Sequence, residues 1–181
     1  PEFTYTKINY SPNEILDLLG FFQSEKYFIE NSDIIKGLLT PKDGFGIKYN
    51  TTSVHVRRGD YLNLTKEYEQ LNLSYYTQAM NMINSKYYII VSDDIQWCKD
   101  YIASVGFEYE FMNGAPLEDL SAMSSCEHNI IANSSFSWWG AWLNQNPNKV
   151  VISPSKYNWF GKKSKPSTED IIPENWVQIR F

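Results

Sequence analysis

Two adjacent arginines, Arg57 and Arg58, stand between His55 and Asp60. Guanidinium groups bind carboxylates and phosphates through paired hydrogen bonds. The two positive charges repel each other, and no acidic residue precedes Asp60 in the stretch 51–60. We therefore predict that the pair binds an external anion. The alternative is a surface strand that carries scattered charges without a ligand.

The residues before the arginines alternate between apolar and polar side chains, which is the period of a β-strand. Gly59 and Asp60 then supply the residue types of a turn. In an open α/β sheet ligands bind at the carboxyl ends of the strands, so this strand would present its charges there. Alternation also puts Arg57 on the face of His55, while Arg58 begins the turn. We predict Arg57 as the phosphate ligand and Arg58 as a residue held by the fold.

Two further polar loops follow predicted strands. The first loop follows the apolar run 86–91 and consists of Ser92, Asp93 and Asp94. The second follows the run 129–132 and consists of Asn133, Ser134, Ser135, Phe136 and Ser137. A carboxylate accepts hydrogen bonds from the donor edge of guanine, and a helix start rich in small residues offers backbone N–H groups to a phosphate. The three loops together suit a nucleoside diphosphate. The structural alternatives are a helix N-cap at Asp93 or Asp94 and one at Ser135 or Ser137.

The rest of the pattern alternates strands with helices. Strands are predicted at 54–56, 86–91, 107–111, 129–132 and 150–152, and helices at 12–22, 31–39, 74–83 (capped by Ser74), 95–104, from Pro116 to 120, and 137–143. Strands separated by helical segments indicate βαβ units. The predicted fold class is therefore α/β, with a doubly wound, mainly parallel sheet.

Length and charge exclude several classes. The chain has 181 residues, 43% of them hydrophobic, which fits one well-formed core. Its net charge of −5 argues against a nucleic-acid partner. No apolar run approaches the roughly 20 residues of a membrane span, and the start of the chain lacks a signal-peptide pattern. The two cysteines are expected to be reduced. We expect a cytoplasmic location, including the inner face of a membrane.

Three ordered segments resemble the inverting α-1,2-fucosyltransferases of glycosyltransferase family eleven. They are the run 55–61 (HVRRGDY), the run 91–98 (VSDDIQWC) and the run 123–143 (MSSCEHNIIANSSFSWWGAWL). The resemblance covers about residues 53–160. It implies a Rossmann-like half of a GT-B-type enzyme that binds GDP-fucose. It further implies transfer of L-fucose to a sugar hydroxyl, expected on a galactose-terminated glycan, with no metal or other cofactor.

The resemblance also implies roles for single residues. Arg57 or Arg58 would hold the donor β-phosphate, with His55 beside the nucleoside or the sugar. Asp94 or Asp93 would lie near the guanine. The third segment would place Ser134, Ser135 and Phe136 by the diphosphate and fucose. We include Asn133 with them among the substrate-binding residues.

The chain is short for this family, because only about fifty residues precede the first segment. We predict a donor-binding domain at 51–181 and a helical flank, or the remnant of an acceptor-side half, at 1–50. Acceptor positioning supplies much of a transfer rate. The chain is therefore expected to bind the donor even if it does not catalyse the transfer by itself.

Inverting transfer requires two tasks of the protein. An arginine stabilises the charge that develops on the β-phosphate, and a base takes the proton of the acceptor hydroxyl. Asp60 is the carboxylate nearest to the predicted strand ends and is our candidate for this base. Glu67 and Glu69 in the following loop are the alternatives. For Asp60, a structural bond to the backbone or to an arginine is at least as well supported by the sequence.

Two rival functions remain open. One is a metal-dependent nucleotide-sugar transferase in which Asp93 and Asp94 bind Mg²⁺ or Mn²⁺. The other is a non-catalytic module that senses a sugar nucleotide or binds glycans through exposed aromatics: Trp138, Trp139, Trp142 and Trp159. Tryptophans at helical spacing more often pack in a hydrophobic core than form an exposed surface for glycans.

Overall fold

The computed structural model describes residues 4–13, 15–40, 48–103, 106–163 and 167–181. Its centre is a six-stranded sheet in the order β3-β2-β1-β4-β5-β6, and every pairing in it is parallel. The strands are β1 (Lys48–Val56), β2 (Tyr87–Ser92), β3 (Glu108–Met112), β4 (Cys126–Ile130), β5 (Val151–Pro154) and β6 (Val177–Ile179). Because all strands run the same way, their carboxyl ends lie at one edge.

Five helices accompany the sheet in the described residues. They are α1 (Ser32–Leu39), α2 (Leu73–Ile83), α3 (Ile95–Trp97), α4 (Pro116–Ser125) and α5 (Ser135–Leu143). The short α3 continues into a π-helical turn, Cys98–Ile102. Among the described helices, none is both long and apolar enough to cross a membrane.

Alternate residues of the strands pack into two hydrophobic cores, one on each face of the sheet. On β2, Tyr88 and Ile90 belong to a cluster that includes Tyr75 and Met80 of α2, whereas Ile89 and Val91 pack with Met123 of α4. A strand buried on both faces requires helices on both faces. The doubly wound α/β fold predicted from the sequence is confirmed.

Most predicted elements are present, with shifted ends. Strand β4 begins three residues earlier than predicted and ends at Ile130, although the Ile131 amide still donates to the Ile152 carbonyl at 2.9 Å. The cap of α2 is Asn72, whose side chain accepts from the Tyr75 amide, and the predicted Ser74 cap is wrong. Strand β6 was not predicted, because three residues carry too little pattern.

The predicted first helix is wrong. Residues 15–22 are described without helical structure, and Glu14 lies outside the described residues. The apolar side chains that suggested a helix, Ile15 and Leu19, are fully exposed. A short helix is stable mainly when its apolar face packs, so periodicity alone does not form one here.

The N-terminal flank packs on α5. The Phe28 ring stacks on Trp139 at 5.4 Å and meets Trp142 edge-on at 5.1 Å. The Trp142 indole donates to Glu25 at 3.1 Å. Trp138, Trp142 and Trp159 are buried, as the core interpretation of the tryptophans predicted. The division of the chain at residue 50 stays a prediction.

Lys149 closes the carboxyl end of α5. Its ammonium donates to the carbonyls of Ala141 at 2.7 Å, Trp142 at 3.3 Å and Asn144 at 2.6 Å. Burial lowers the pKa of Lys149 to about 8. A cation at this position satisfies carbonyls that the helix leaves open and opposes the negative end of the helix dipole.

We expect Lys149→Met to lower the free energy of unfolding at pH 7 by about 1–3 kcal/mol, because buried carbonyls lose their donor. Urea denaturation measures the change. The matched control is Lys162→Met at an exposed lysine, which should stay within about 0.5 kcal/mol of the parent. Equal stability of the two variants would contradict the capping role.

Candidate nucleotide-binding site

The three predicted loops meet at one edge of the sheet. Strand β1 lies between β2 and β4, with Val56 opposite Ser92 and Val54 opposite Ile130. We call the carboxyl ends of β2, β1 and β4, with the loops that leave them, the rim. Arg58 and Asn133 therefore lie at the same edge, as the sequence predicted.

The two arginines are held by three aspartates. Arg57 Nη2 lies 2.7 Å from Asp60 Oδ1, and Arg57 Nη1 lies 2.9 Å from Asp93 Oδ2. Arg58 Nε lies 3.0 Å from Asp94 Oδ2. The repulsion between the arginines is thus offset within the protein. The premise that only an external anion balances them is wrong, since Asp60 lies three residues from Arg57 and two further carboxylates come from a loop about 35 residues away.

In both Asp93 and Asp94, each of the two carboxylate oxygens faces a nitrogen donor. Asp93 Oδ1 accepts from the Arg58 amide at 2.9 Å, and Asp94 Oδ1 accepts from the Trp97 amide at 3.1 Å. The latter bond makes Asp94 the N-cap of α3, the structural alternative recognised in the sequence. A ligand that approaches these carboxylates competes with existing donors.

The two arginines differ in how firmly they are held. The Arg58 guanidinium lies 4.4 Å from the centre of the Trp97 ring, and its side chain is 21% exposed. Arg57 is 34% exposed, above the Tyr61 ring at 5.4 Å. Arg57 is therefore the more accessible guanidinium. Which arginine binds a phosphate stays a prediction.

Gly59 allows the two loops to approach each other. A Cβ at this position would lie 2.5 Å from Asp93 Oδ2, which is too close for any side chain. Asp93 is held by Arg57 and the Arg58 amide, so it cannot move without breaking that network. Glycine at position 59 is thus required by the contact between the loops.

His55 is buried and neutral. It is 4% exposed, and its ring lies 5.7 Å from the Phe136 ring. Burial, with a smaller effect of the Arg57 charge, lowers the pKa of His55 to about 3. Its Nδ1 atom has no hydrogen-bond partner among the described residues. His55 therefore adds a hydrogen-bonding group to the rim but no positive charge at pH 7.

The β4 side of the rim combines a fixed loop with an open helix start. The Asn133 side chain is buried and donates to the carbonyls of Glu69 at 2.9 Å and Trp159 at 2.8 Å. Ser134 is the N-cap of α5 but makes no side-chain capping bond. Ser135 is exposed and Phe136 half-buried. The serine cap proposed at Ser135 or Ser137 is not found.

The candidate bases lie in the loop after β1. The Asp60 side chain is 57% exposed and bonded to Arg57, which is the structural role considered for it in the sequence. Glu67 lies 3.5 Å from Lys163. Glu69 contributes its backbone carbonyl to Asn133.

Aromatic residues at the rim were missed in the sequence. Tyr61 stacks on Tyr68 at 4.1 Å and donates through its hydroxyl to the Asn133 carbonyl at 3.1 Å. It therefore joins the loops after β1 and β4. Trp97 supports Arg58. The available signal was position, since Tyr61 directly follows the charged run and Trp97 lies one helical turn after Asp94.

Cation ligands do not cluster at the rim. Within the part of the chain that the structure describes, no group of three or more His, Cys, Asp or Glu side chains is placed to hold a metal ion. Asp60, Asp93 and Asp94 face arginine nitrogens instead.

A model of glycosyl transferase family 11 matches residues 4–180. The chain is 34% identical, over 96% of its length, to an alpha-1,2-colitosyltransferase of Escherichia coli, and covers 66% of that protein. It is 37% identical, over 72% of its length, to the O-antigen biosynthesis glycosyltransferase WbnK of Escherichia coli and covers 45% of it. It is 29% identical, over 70% of its length, to the galactoside 2-alpha-L-fucosyltransferase Sec1 of Mus musculus and covers 37% of it. The chain thus spans less than two thirds of each of these relatives.

Acid should destabilise the protein through His55. An unfolded chain protonates this residue below its ordinary pKa of 6.5, whereas the folded chain does not until about pH 3. The unfolded state then binds more protons, so stability falls as the pH falls between these values. Between pH 7 and pH 5 we expect the parent to lose about 2 kcal/mol more than His55→Gln, measured by urea denaturation. Equal losses would show that His55 is not buried as a neutral ring.

Proposed function

Because the chain belongs to glycosyl transferase family 11, we propose that it binds GDP-fucose and serves the transfer of L-fucose to a sugar hydroxyl in α-1,2 linkage. The observation that carries this proposal is the meeting of arginines, aspartates and an open helix start at one rim. The fucosyltransferase named among the relatives supports the choice of donor.

The arginines suit the leaving group. A departing GDP gathers negative charge on its β-phosphate, and a guanidinium bonds two phosphate oxygens while staying protonated. Arg57 is the more exposed of the pair, so we assign it to the β-phosphate. Asp60 and Asp93 hold its Nη atoms in place. Binding a phosphate then exchanges carboxylate partners for phosphate oxygens.

The chemical step is proposed to invert the anomeric carbon. The acceptor oxygen attacks the face opposite GDP through an oxocarbenium-like state, as in glycoside hydrolysis. Its proton goes to a carboxylate, for which we retain Asp60, since it is exposed and close to Arg57. When Arg57 turns to the phosphate, the Asp60 carboxylate is released from this ion pair and can accept the proton.

We propose that the reaction uses no metal. All four oxygens of Asp93 and Asp94 face nitrogen donors at 2.9–3.1 Å. A cation at these carboxylates would lie beside two guanidinium groups, whose positive charges would repel it. Activity or GDP binding that disappears with EDTA would favour the metal-dependent alternative.

The acceptor is proposed to be a galactose-terminated glycan, in keeping with the galactoside fucosyltransferase among the relatives. A second candidate donor carries colitose, because the relative that aligns with 96% of the chain is named a colitosyltransferase. Both donors would use the same rim.

Calorimetric titration with GDP, GDP-fucose, UDP and UDP-glucose tests the donor class. We expect measurable affinity for the two guanine nucleotides and much weaker binding of the uracil nucleotides. Equal binding of GDP and UDP would contradict the proposal. Incubation with GDP-fucose and lactose then shows whether this chain transfers fucose by itself, and NMR of the product gives the linkage.

Arg57→Lys keeps the charge but removes the forked donor, so GDP binding should weaken by about 1–3 kcal/mol. Guanosine has no phosphate and should bind as it does to the parent. Calorimetry with both ligands separates these effects. Arg58→Lys is the matched control, since loss of its contacts with Asp94 and Trp97 should affect GDP and guanosine equally. If both variants bound GDP like the parent, the phosphate assignment would be wrong.

Asp94→Asn separates the two roles of this residue. Asparagine caps helices about as well as aspartate, so α3 should keep its cap and the protein most of its stability. An amide cannot accept two donors from the guanine edge on both of its polar atoms. We therefore expect the affinity ratio of GDP to UDP to fall toward one, measured by calorimetry. An unchanged ratio would leave Asp94 with its structural bonds to the Trp97 amide and to Arg58.

A further inference from the structure

An aromatic cavity lies beside the start of α5. Its volume is about 200 Å³, and its walls include Phe21, Phe22, Phe28, Trp138, Trp139 and Trp159. At roughly 30 Å³ per water it holds about six or seven waters, which suits one sugar ring. It is smaller than the roughly 300–1,000 Å³ of pockets for drug-sized ligands.

Polar groups occur at a few places in these aromatic walls. Gln23, Ser24 and Ser135 also line the cavity, and Ser135 is exposed. Large apolar faces with a few hydroxyl and amide groups bind a sugar ring well, because its C–H face packs on the aromatic rings and its hydroxyls need hydrogen-bond partners. The cavity therefore has the chemistry of a monosaccharide site.

The position of the cavity fits one particular sugar. Along the edge of the sheet the strands follow in the order β2, β1, β4, β5. Asp94 follows β2, the arginines follow β1, Ser135 follows β4, and Trp159 follows β5. At about 4.8 Å per strand this row spans about 14 Å, the scale of an extended nucleoside diphosphate sugar. With the base at Asp94 and the diphosphate at Arg57 and α5, the sugar falls at the cavity.

We propose that this cavity receives the sugar ring of the donor and that its aromatic walls select a 6-deoxy sugar. This inference rests on the proposed nucleotide-sugar function and names the part of the site that chooses the sugar. A C6 methyl group gains from contact with aromatic rings. A C6 hydroxyl placed against the same rings loses its water without gaining a partner.

The upstream segment contributes to this selection. Phe21 and Phe22 precede the sheet by more than twenty residues, yet they line the cavity with Trp138 and Trp139 of α5. The Phe28 ring stacked on Trp139 links this segment to the helix. The donor sugar would thus contact both the N-terminal flank and the sheet domain.

GDP-L-fucose and GDP-L-galactose differ only in the C6 hydroxyl and form the matched probe pair. Calorimetry gives the affinity of the parent for each probe and for GDP. We expect the parent to prefer GDP-fucose by about 10- to 100-fold, the range open to an apolar pocket that meets one extra hydroxyl. In Phe21→Ala and Trp139→Ala this ratio should fall several-fold while the affinity for GDP stays unchanged.

The control is Leu19→Ala, because Leu19 is fully exposed and lies outside the residues that line the cavity. It should leave all three affinities unchanged. Phe21 is 62% exposed, so its variant tests the cavity even if Trp139→Ala fails to fold. Urea denaturation identifies the folded variants.

Each outcome has a distinct meaning. An unchanged preference for GDP-fucose in folded Phe21→Ala, with GDP bound as before, would overturn the inference and leave the proposed function intact. If the variant instead lost affinity for lactose with the donor ratio unchanged, the cavity would be an acceptor site and the donor assignment would be wrong. If the parent failed to bind GDP, the proposed function would fail and the inference with it.

Discussion

The rim depends on the neutralisation of two adjacent arginines. Arg57 and Arg58 carry like charges on neighbouring residues, and their side chains are only partly exposed. Such a pair needs nearby anions that offset its charge. Asp93 and Asp94 at the end of β2 do so, and Asp60 adds a third carboxylate. An anion that binds here competes with these partners, which favours a phosphate that accepts two hydrogen bonds from a guanidinium at once.

That network in turn depends on strand register. The pairing of Val56 with Ser92 brings the loops after β1 and β2 side by side, and Gly59 lets Asp93 approach. A slip of one residue would turn Asp93 and Asp94 to the opposite faces. The buried side chains of β1 and β2, which pack on helices on both sides, prevent that slip. The packing of the core therefore fixes the positions of the charged groups.

The sequence predicted the sheet and the rim, because period and turn residues are local signals. It suggested a bond between Asp60 and an arginine but did not predict Asp93 and Asp94 as partners, because these two lie some 35 residues away and their contact follows from register. The same limit applies to His55, whose low pKa comes mainly from burial in the fold and only to a smaller extent from the nearby Arg57 charge. At residues 15–22 the local signal was misleading, since the helical pattern of apolar residues has no core to pack against.

The charges along the rim are unevenly distributed, and this bears on the proposed transfer. The arginines and their aspartates lie at β1 and β2, whereas the β4 and β5 side offers small hydroxyl residues and aromatic rings. In the proposed reaction negative charge grows on the phosphate while positive charge grows on the sugar ring. A guanidinium stabilises the first, and aromatic faces stabilise a cation better than an arginine would. If the donor lies along the rim from Asp94 to Trp159, each developing charge meets the side of the rim that suits it.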